Sequence, residues 1–286
     1  MVNFRSKDLV YLLYILVFAV ALGLAFKGDN SDDNIDSSQF SLDPVAHSYG
    51  SGGRDVVIKE DEVWKVGSYE FNSFEISKGT LDFEGNEKQI EIRATSRIII
   101  KKDAILDITD GSTNKPSAAD GRGGSFGGPG GVGDCRQGEV QFQEPAYDVS
   151  RVTGGSGFLR APNSEYVGGE GAGYLLLAAP EIIIKGKIRA IGTDGVYSVG
   201  GGSGGKVIII SDRIINNGHI LVSGGAGAKD EIQGYGGGGG GLVLVSRKPE
   251  GDGLIDVAGG KGGAVTDLYS GCNGGMGSSG KVLIAS

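Results

Sequence analysis

Two cysteines and two histidines among 286 residues leave few ligands for a zinc site of Cys and His. Proline is equally sparse, at seven, so the 55 glycines do not belong to a collagen-like chain, which needs abundant proline and glycine at every third place. Basic charge is not in excess. Lys and Arg number 27 against 35 Asp and Glu, a net charge of −8, and the basic footprint of a nucleic-acid binder is missing. Beyond residue 26 no apolar series keeps helical spacing, which speaks against a helical domain. Nucleotide-binding loops are absent too. Gly205-Lys206 leads into the apolar Val207-Ile208, and Lys261 is followed by Gly262, so neither continues as a phosphate loop. No Asn-x-Ser/Thr sequon occurs, and N-glycosylation is not expected.

One long hydrophobic run is present. Residues 9–26 are 18 uncharged residues, about 27 Å as a helix. Arg5 and Lys7 precede the run, and Lys27, Asp29, Asp32 and Asp33 follow it. It reads either as a signal anchor with a cytoplasmic N-terminus, or as a signal peptide cleaved near Ala19-Val20-Ala21. Both place the body at the cell surface or outside the cell, and the anchor makes the membrane a partner. Residues 27–54 are acidic and poor in apolar residues, and they read as a flexible stalk. The acidic residues there lack the central Gly and terminal Glu of a calcium loop, so no metal site is expected.

The body, residues 55–286, carries a short repeat of a small residue, any residue, Ile or Leu, any residue and an apolar residue. It occurs at Gly79–Phe83, Ala104–Ile108, Gly186–Ala190, Gly218–Val222 and Gly253–Val257, with starts 25, 82, 32 and 35 residues apart. A second apolar run stands at 89–92, 174–177, 206–210, 242–245 and 281–284. A third stands at 97–100, 181–184 and 213–215, and is degraded at 247–251. Val and Ile richness with partial alternation favours strands. A unit of three short strands is the repeat of an all-β, single-stranded parallel β-helix, a solenoid in which Ile188, Ile220 and Ile255 stack inside. A sandwich or hairpin barrel would instead need antiparallel strands joined by tight turns at regular spacing.

Excess length always follows the strand of the short repeat, in inserts at 111–172, 193–204, 226–240 and 259–279. Residues 111–286 hold 47 of the 55 glycines. Loops leaving successive turns at one corner must lie over one another, where side chains crowd and glycine does not. Gly237, Gly238, Gly239 and Gly240 fit such stacked loops, and Gly186, Gly218 and Gly253 open successive repeat units. The competing reading is a flexible glycine linker. Cys135 in the first insert and Cys272 in the last form a candidate disulfide, two free or intermolecular thiols being the alternative.

Catalytic, cofactor and metal residues are not evident. Asp82, Asp107 and Asp256 share one place in three units, but Arg189 and Leu221 interrupt them, so they do not form a carboxylate pair for glycoside cleavage. His219 faces outward with no second His beside it. Ser211-Asp212 shows no nucleophile–base spacing. The mixed outward positions lack the threonine face of an ice binder.

The passage from Gly200 through Ile210, with Gly218-His219-Ile220 and Gly224–Gly227, resembles glycine-rich extracellular repeat proteins. The body also resembles the pectate-lyase-like parallel β-helix superfamily, although the catalytic Asp, Arg and Lys sets of that group have no counterpart here. The resemblance implies an architecture rather than an activity. The expected function is therefore a non-enzymatic structural or adhesive surface protein, in a filament or surface complex. Carbohydrate binding or cleavage is the alternative. Lys281, Val282, Leu283 and Ile284 open a further turn and form a candidate assembly edge for a protein partner or a second copy. A glycan is a further candidate partner, and nucleic acid is not.

Overall fold

The computed structural model describes residues 49–85, 88–109, 124, 126, 130–131, 168–196, 199–229, 234–265 and 273–285. Fifteen strands run through these residues. They are β1 (Val56–Ile58), β2 (Glu62–Lys65), β3 (Gly67–Ile76), β4 (Gly79–Glu84), β5 (Gln89–Ile100), β6 (Ala104–Asp107), β7 (Tyr174–Ala178) and β8 (Glu181–Ile184). They continue as β9 (Lys187–Arg189), β10 (Lys206–Ile210), β11 (Arg213–Asn216), β12 (His219–Leu221), β13 (Leu242–Val245), β14 (Leu254–Asp256) and β15 (Lys281–Ile284).

All pairings among them are parallel, and they form two sheets. The larger follows the order β1-β3-β5-β7-β10-β13-β15, with β8 and β11 beside it, and the smaller runs β14-β12-β9-β6-β4-β2. The chain passes back and forth between the sheets as it advances, so each new strand stacks on one laid down a turn earlier. This sequential stacking is compatible with a β-helix-like solenoid. Strands fall into three columns. The first contains the front halves of β3 and β5, then β7, β10, β13 and β15. The second contains β1, the back halves of β3 and β5, then β8 and β11. The smaller sheet is the third.

Alternation decides which side chains meet. In the third column Leu81, Leu106, Ile188, Ile220 and Ile255 stand in register. All but the last are fully buried, and Ile255, on the terminal strand, is half-buried. Ile76, Ile100 and Ile184 do the same in the second column, and Ile92, Leu177, Ile209 and Val245 in the first. One core therefore runs through all three columns. Burying each such side chain contributes roughly 1.5–3 kcal/mol. At the first turns aromatic rings replace the aliphatics, with Trp64, Tyr69, Phe71 and Phe74 packed at centroid distances of 5.0 to 6.3 Å.

A second apolar cluster lies on the opposite face of the first column. Leu176, Ala178, Ile208, Ile210, Leu242 and Leu244 are buried there beneath Phe126, with Tyr49 packed against them. Strands β7, β10 and β13 are consequently buried on both faces, which is why they read as continuous apolar runs rather than alternating ones. Burial and the nearby Asp212 carboxylate push the Tyr49 hydroxyl up to about 12. Tyr49 and its followers belong to the segment expected to be a stalk, yet they lie against the sheet. The Ser51 N–H donates to Glu70 at 2.9 Å, and the Asn72 N–H donates to the Arg54 carbonyl at 3.2 Å.

The glycine-rich segments bond to one another through their backbones. Gly169 and Ala172 donate to Gly200 and Ser203; Gly201 and Gly204 donate to Gly236 and Gly239; Gly237 and Gly240 donate to Gly275 and Ser278. A second series runs from Gly192 and Gly195 to Ser223 and Ala226, and from Gly224 and Gly227 to Ala258 and Lys261. The two series are joined by the N–H groups of Gly225 and Ala228 donating to Gly202 and Val199, and by those of Gly238 and Gly241 donating to Gly225 and Val222. Donors toward a given neighbour recur at every third residue, unlike the two-residue repeat of a strand.

The expected membrane anchor is corrected. No helix among the described residues is long and apolar enough to cross a membrane. The hydrophobic segment 9–26 and the stalk up to residue 48 lie outside the described residues, so a transmembrane identity and the membrane as a partner are both withdrawn. Cys135 and Cys272 also lie outside them, as does most of the 111–172 insert.

Candidate functional site

The candidate assembly edge is the last strand. β15 pairs with β13, placing Val282 beside Val243 and Ile284 beside Val245. Val243 and Val245 are fully buried core residues, so Val282 and Ile284 belong to the same inward rows. They are nevertheless 36% and 44% exposed, because among the described residues no strand lies beyond them. The Lys281 N–H donates to Gly241, just before β13, at 3.1 Å, and the Ala285 N–H donates to Val245 of β13 at 2.9 Å. Residues alternate sides in a parallel ladder, so Val282 and Ile284 turn their backbone polar groups to the free edge. Leu283 faces the other way and packs against the outer apolar cluster. In the third column β14 is the matching edge, with Ile255 and Val257 half-buried on the core and Leu254 51% exposed.

At the opposite end the terminal strands among the described residues are β1, in the second column, and β2, in the third, while Ser51 and Arg54 bond to β3 at Glu70 and Asn72.

The glycines singled out in the sequence are sites of close approach. A Cβ on Gly186 would stand 2.2 Å from the Lys101 carbonyl oxygen, and one on Gly218 2.2 Å from that of Gly186. On Gly237, Gly238 and Gly240 it would stand 2.1, 1.9 and 1.8 Å from the carbonyls of Gly260, Gly202 and Val257. Gly253 meets the side chain of Asn216 at 2.5 Å. None of these six has a left-handed backbone. Gly239 takes part through its N–H, which donates to Gly124 at 2.8 Å.

Other sequence candidates are dispersed. Asp107 pairs with Arg189 at 3.1 Å on the next strand, and Asp82 pairs with Lys88 at 3.0 Å, while Asp256 accepts from the Ala258 N–H at 2.9 Å. Ser211 serves a corner. Its N–H donates to Ser246 Oγ at 2.9 Å, and its hydroxyl donates to the Pro180 carbonyl at 3.0 Å. Among the described residues no group of three His, Cys, Asp or Glu could hold a metal ion.

One feature escaped the sequence reading. A cleft of ≈ 420 Å³ opens where successive turns pass from the second column to the third. Its walls are Lys102, Lys185, Lys187, Asn217 and His219, and its floor is Gly186 and Gly218. These residues come from three consecutive turns, separated in sequence by up to 117 positions, and only the strand register brings them together. Comparison with protein-family models, with curated proteins and with solved structures finds no match for this chain.

Proposed function

We propose that this chain is a non-enzymatic, extracellular structural or adhesive protein, built as a stiff rod whose copies join end to end. In this reading the two sheets form a single-stranded parallel β-helix, and the glycine-rich segments are loops stacked at one corner of it. The three-residue recurrence of their donors matches the screw of polyproline-II-type helices, which have three residues per turn. Their non-glycine residues support this. Ala258, Lys261 and Ala264, spaced by three, are exposed, whereas Gly260 and Gly263 are buried. An extracellular placement is supported by reading residues 9–26 as a cleaved signal peptide.

The observation that carries the assembly is the exposure of Val282 and Ile284 on rows that are otherwise core. The occupant that fits is a second copy. β1 and β2 of that copy supply the second- and third-column strands that follow β15 in the spiral, and its aromatic first turn meets the aliphatic edge. Parallel strand addition would pair the free backbone groups and remove apolar surface from water at roughly 25 cal/mol per Å². Sedimentation velocity over a concentration series tests this. The chain is expected to form progressively longer species, and Val282→Asp with Ile284→Asp is expected to remain monomeric while keeping a cooperative thermal unfolding transition. A chain that stays monomeric at high concentration, or assembly indifferent to the double substitution, refutes the proposal.

A further inference from the structure

The geometry points to a binding site for a sulfated polysaccharide in the lysine-lined cleft at the corner between the second and third columns. Lys102, Lys185 and Lys187 line it together with His219 and Asn217. No acidic side chain lines it among the described residues. Among the described residues none of the three lysines has an ion-pair partner, whereas the adjacent Lys101 is paired with Glu75 at 2.6 Å. Lys187 and His219 are direct cross-strand neighbours on β9 and β12.

Lys102 and Lys185 stand on adjacent turns, and like charges there repel. The chain as a whole carries a net charge of −8, so its general field repels anions. A local excess of unpaired cations against that background is a focused binding field for negative groups. The floor adds to it. Gly186 and Gly218 are held so tightly against the turn below that no Cβ fits, which leaves backbone at the base of the cleft and lets the cationic side chains form the rim.

The shape of the ligand follows from the fold. Turns repeat at about 4.8 Å, so the cations form a short ladder along the stacking direction. Such a ladder suits charges repeated along an extended polymer better than one small anion. The cleft is lined by no Phe, Tyr or Trp, the large rings on which the bases of single-stranded nucleic acids and the faces of neutral sugars commonly stack. Affinity must then come from charge, and a sulfate ester supplies a compact anion for lysines on two adjacent turns. This site is independent of end-to-end assembly, because the cleft is on the side of the stack and β15 is at its end.

Binding of heparin to the chain carrying Val282→Asp and Ile284→Asp, measured by titration calorimetry, separates the two proposals. Saturable binding is expected, with an affinity that falls as salt rises, as counterions are released. Lys102→Glu, Lys185→Glu and Lys187→Glu together are expected to lower it at least about tenfold, a loss of roughly 1.4 kcal/mol or more, with thermal unfolding unchanged. The triple Lys→Arg variant is expected to retain binding. Dextran is expected not to bind, and single-stranded DNA to bind much more weakly than heparin. Heparin affinity unmoved by the charge reversals, or matched by dextran or by single-stranded DNA, overturns the assignment.

Discussion

Gly238→Ala puts two explanations of glycine in direct opposition. Gly238 has no positive φ, so on dihedral grounds alanine is allowed there. Were conformational freedom the only issue, the substitution would stabilise the protein by roughly 0.4–1 kcal/mol, through a less flexible unfolded chain. Its neighbours predict the opposite. The new Cβ would lie 1.9 Å from the Gly202 carbonyl oxygen, against an ordinary contact of ~3.5 Å. Relief requires one segment to move by more than the tolerance of the bonds that hold both. Those are Gly225 N–H to Gly202 at 2.8 Å, Gly238 N–H to Gly225 at 2.9 Å and Gly260 N–H to Gly238 at 2.7 Å. Losing two of them and leaving their buried groups unpaired costs roughly 3–5 kcal/mol. For a protein of this size the melting temperature should fall on the order of 10 °C. Lys261→Ala, at an exposed position of a neighbouring segment, should stay within about 0.5 kcal/mol of the parent. Differential scanning calorimetry of both variants is the assay. A melting temperature for Gly238→Ala equal to or above that of the parent would show that close packing is not what demands glycine there.

Two further outcomes follow from the sheets. Ile188→Ala empties a fully buried position between Leu106 and Ile220 and should cost about 2–5 kcal/mol in urea unfolding, whereas the outward Lys187→Ala should cost under about 0.5; equal effects would contradict the assigned faces. The hydrogen bond from Lys101, helped by Ser77, holds the Glu75 carboxyl below its ordinary 4.5. Its ionised form therefore stabilises the fold above that value, and the contribution is lost as pH falls through the lowered one. The stability advantage over Glu75→Gln should be constant at neutral pH and fade under acid, and an advantage that persists unchanged in acid would refute the pairing.

The stacking of the columns was legible because inward residues repeat: Gly79–Phe83, Ala104–Ile108 and the three later copies all contain third-column strands, and Ile188, Ile220 and Ile255 align as the spacing implies. The weak 247–251 run likewise reduces to one bridge, between Ile215 and Glu250. The first turns were harder to read. In β2 and β3 the inward residues before Ile76 are Trp64, Tyr69, Phe71 and Phe74 rather than Ile or Val, set among charged neighbours, and they do not repeat the motif. The outer cluster was missed although Lys206–Ile210 carries its mark, an unbroken apolar run that a one-sided strand does not need. The lysine cleft had no linear signal, since Lys102, Lys185 and His219 become neighbours only through register. The glycine runs revealed that something packs closely, but their three-residue hydrogen-bond recurrence depends on which segments lie side by side.

Native-state hydrogen exchange, read at the glycine amides 201, 204, 225, 237, 238 and 240, bears most directly on whether the glycine-rich segments are structural core. Protection comparable to that of Val207, Ile209 and Val243 in the strands is the predicted result. Exchange at the rate of an unstructured chain, while the strands remain protected, would make those segments linkers and remove the stiff rod on which the proposed function depends.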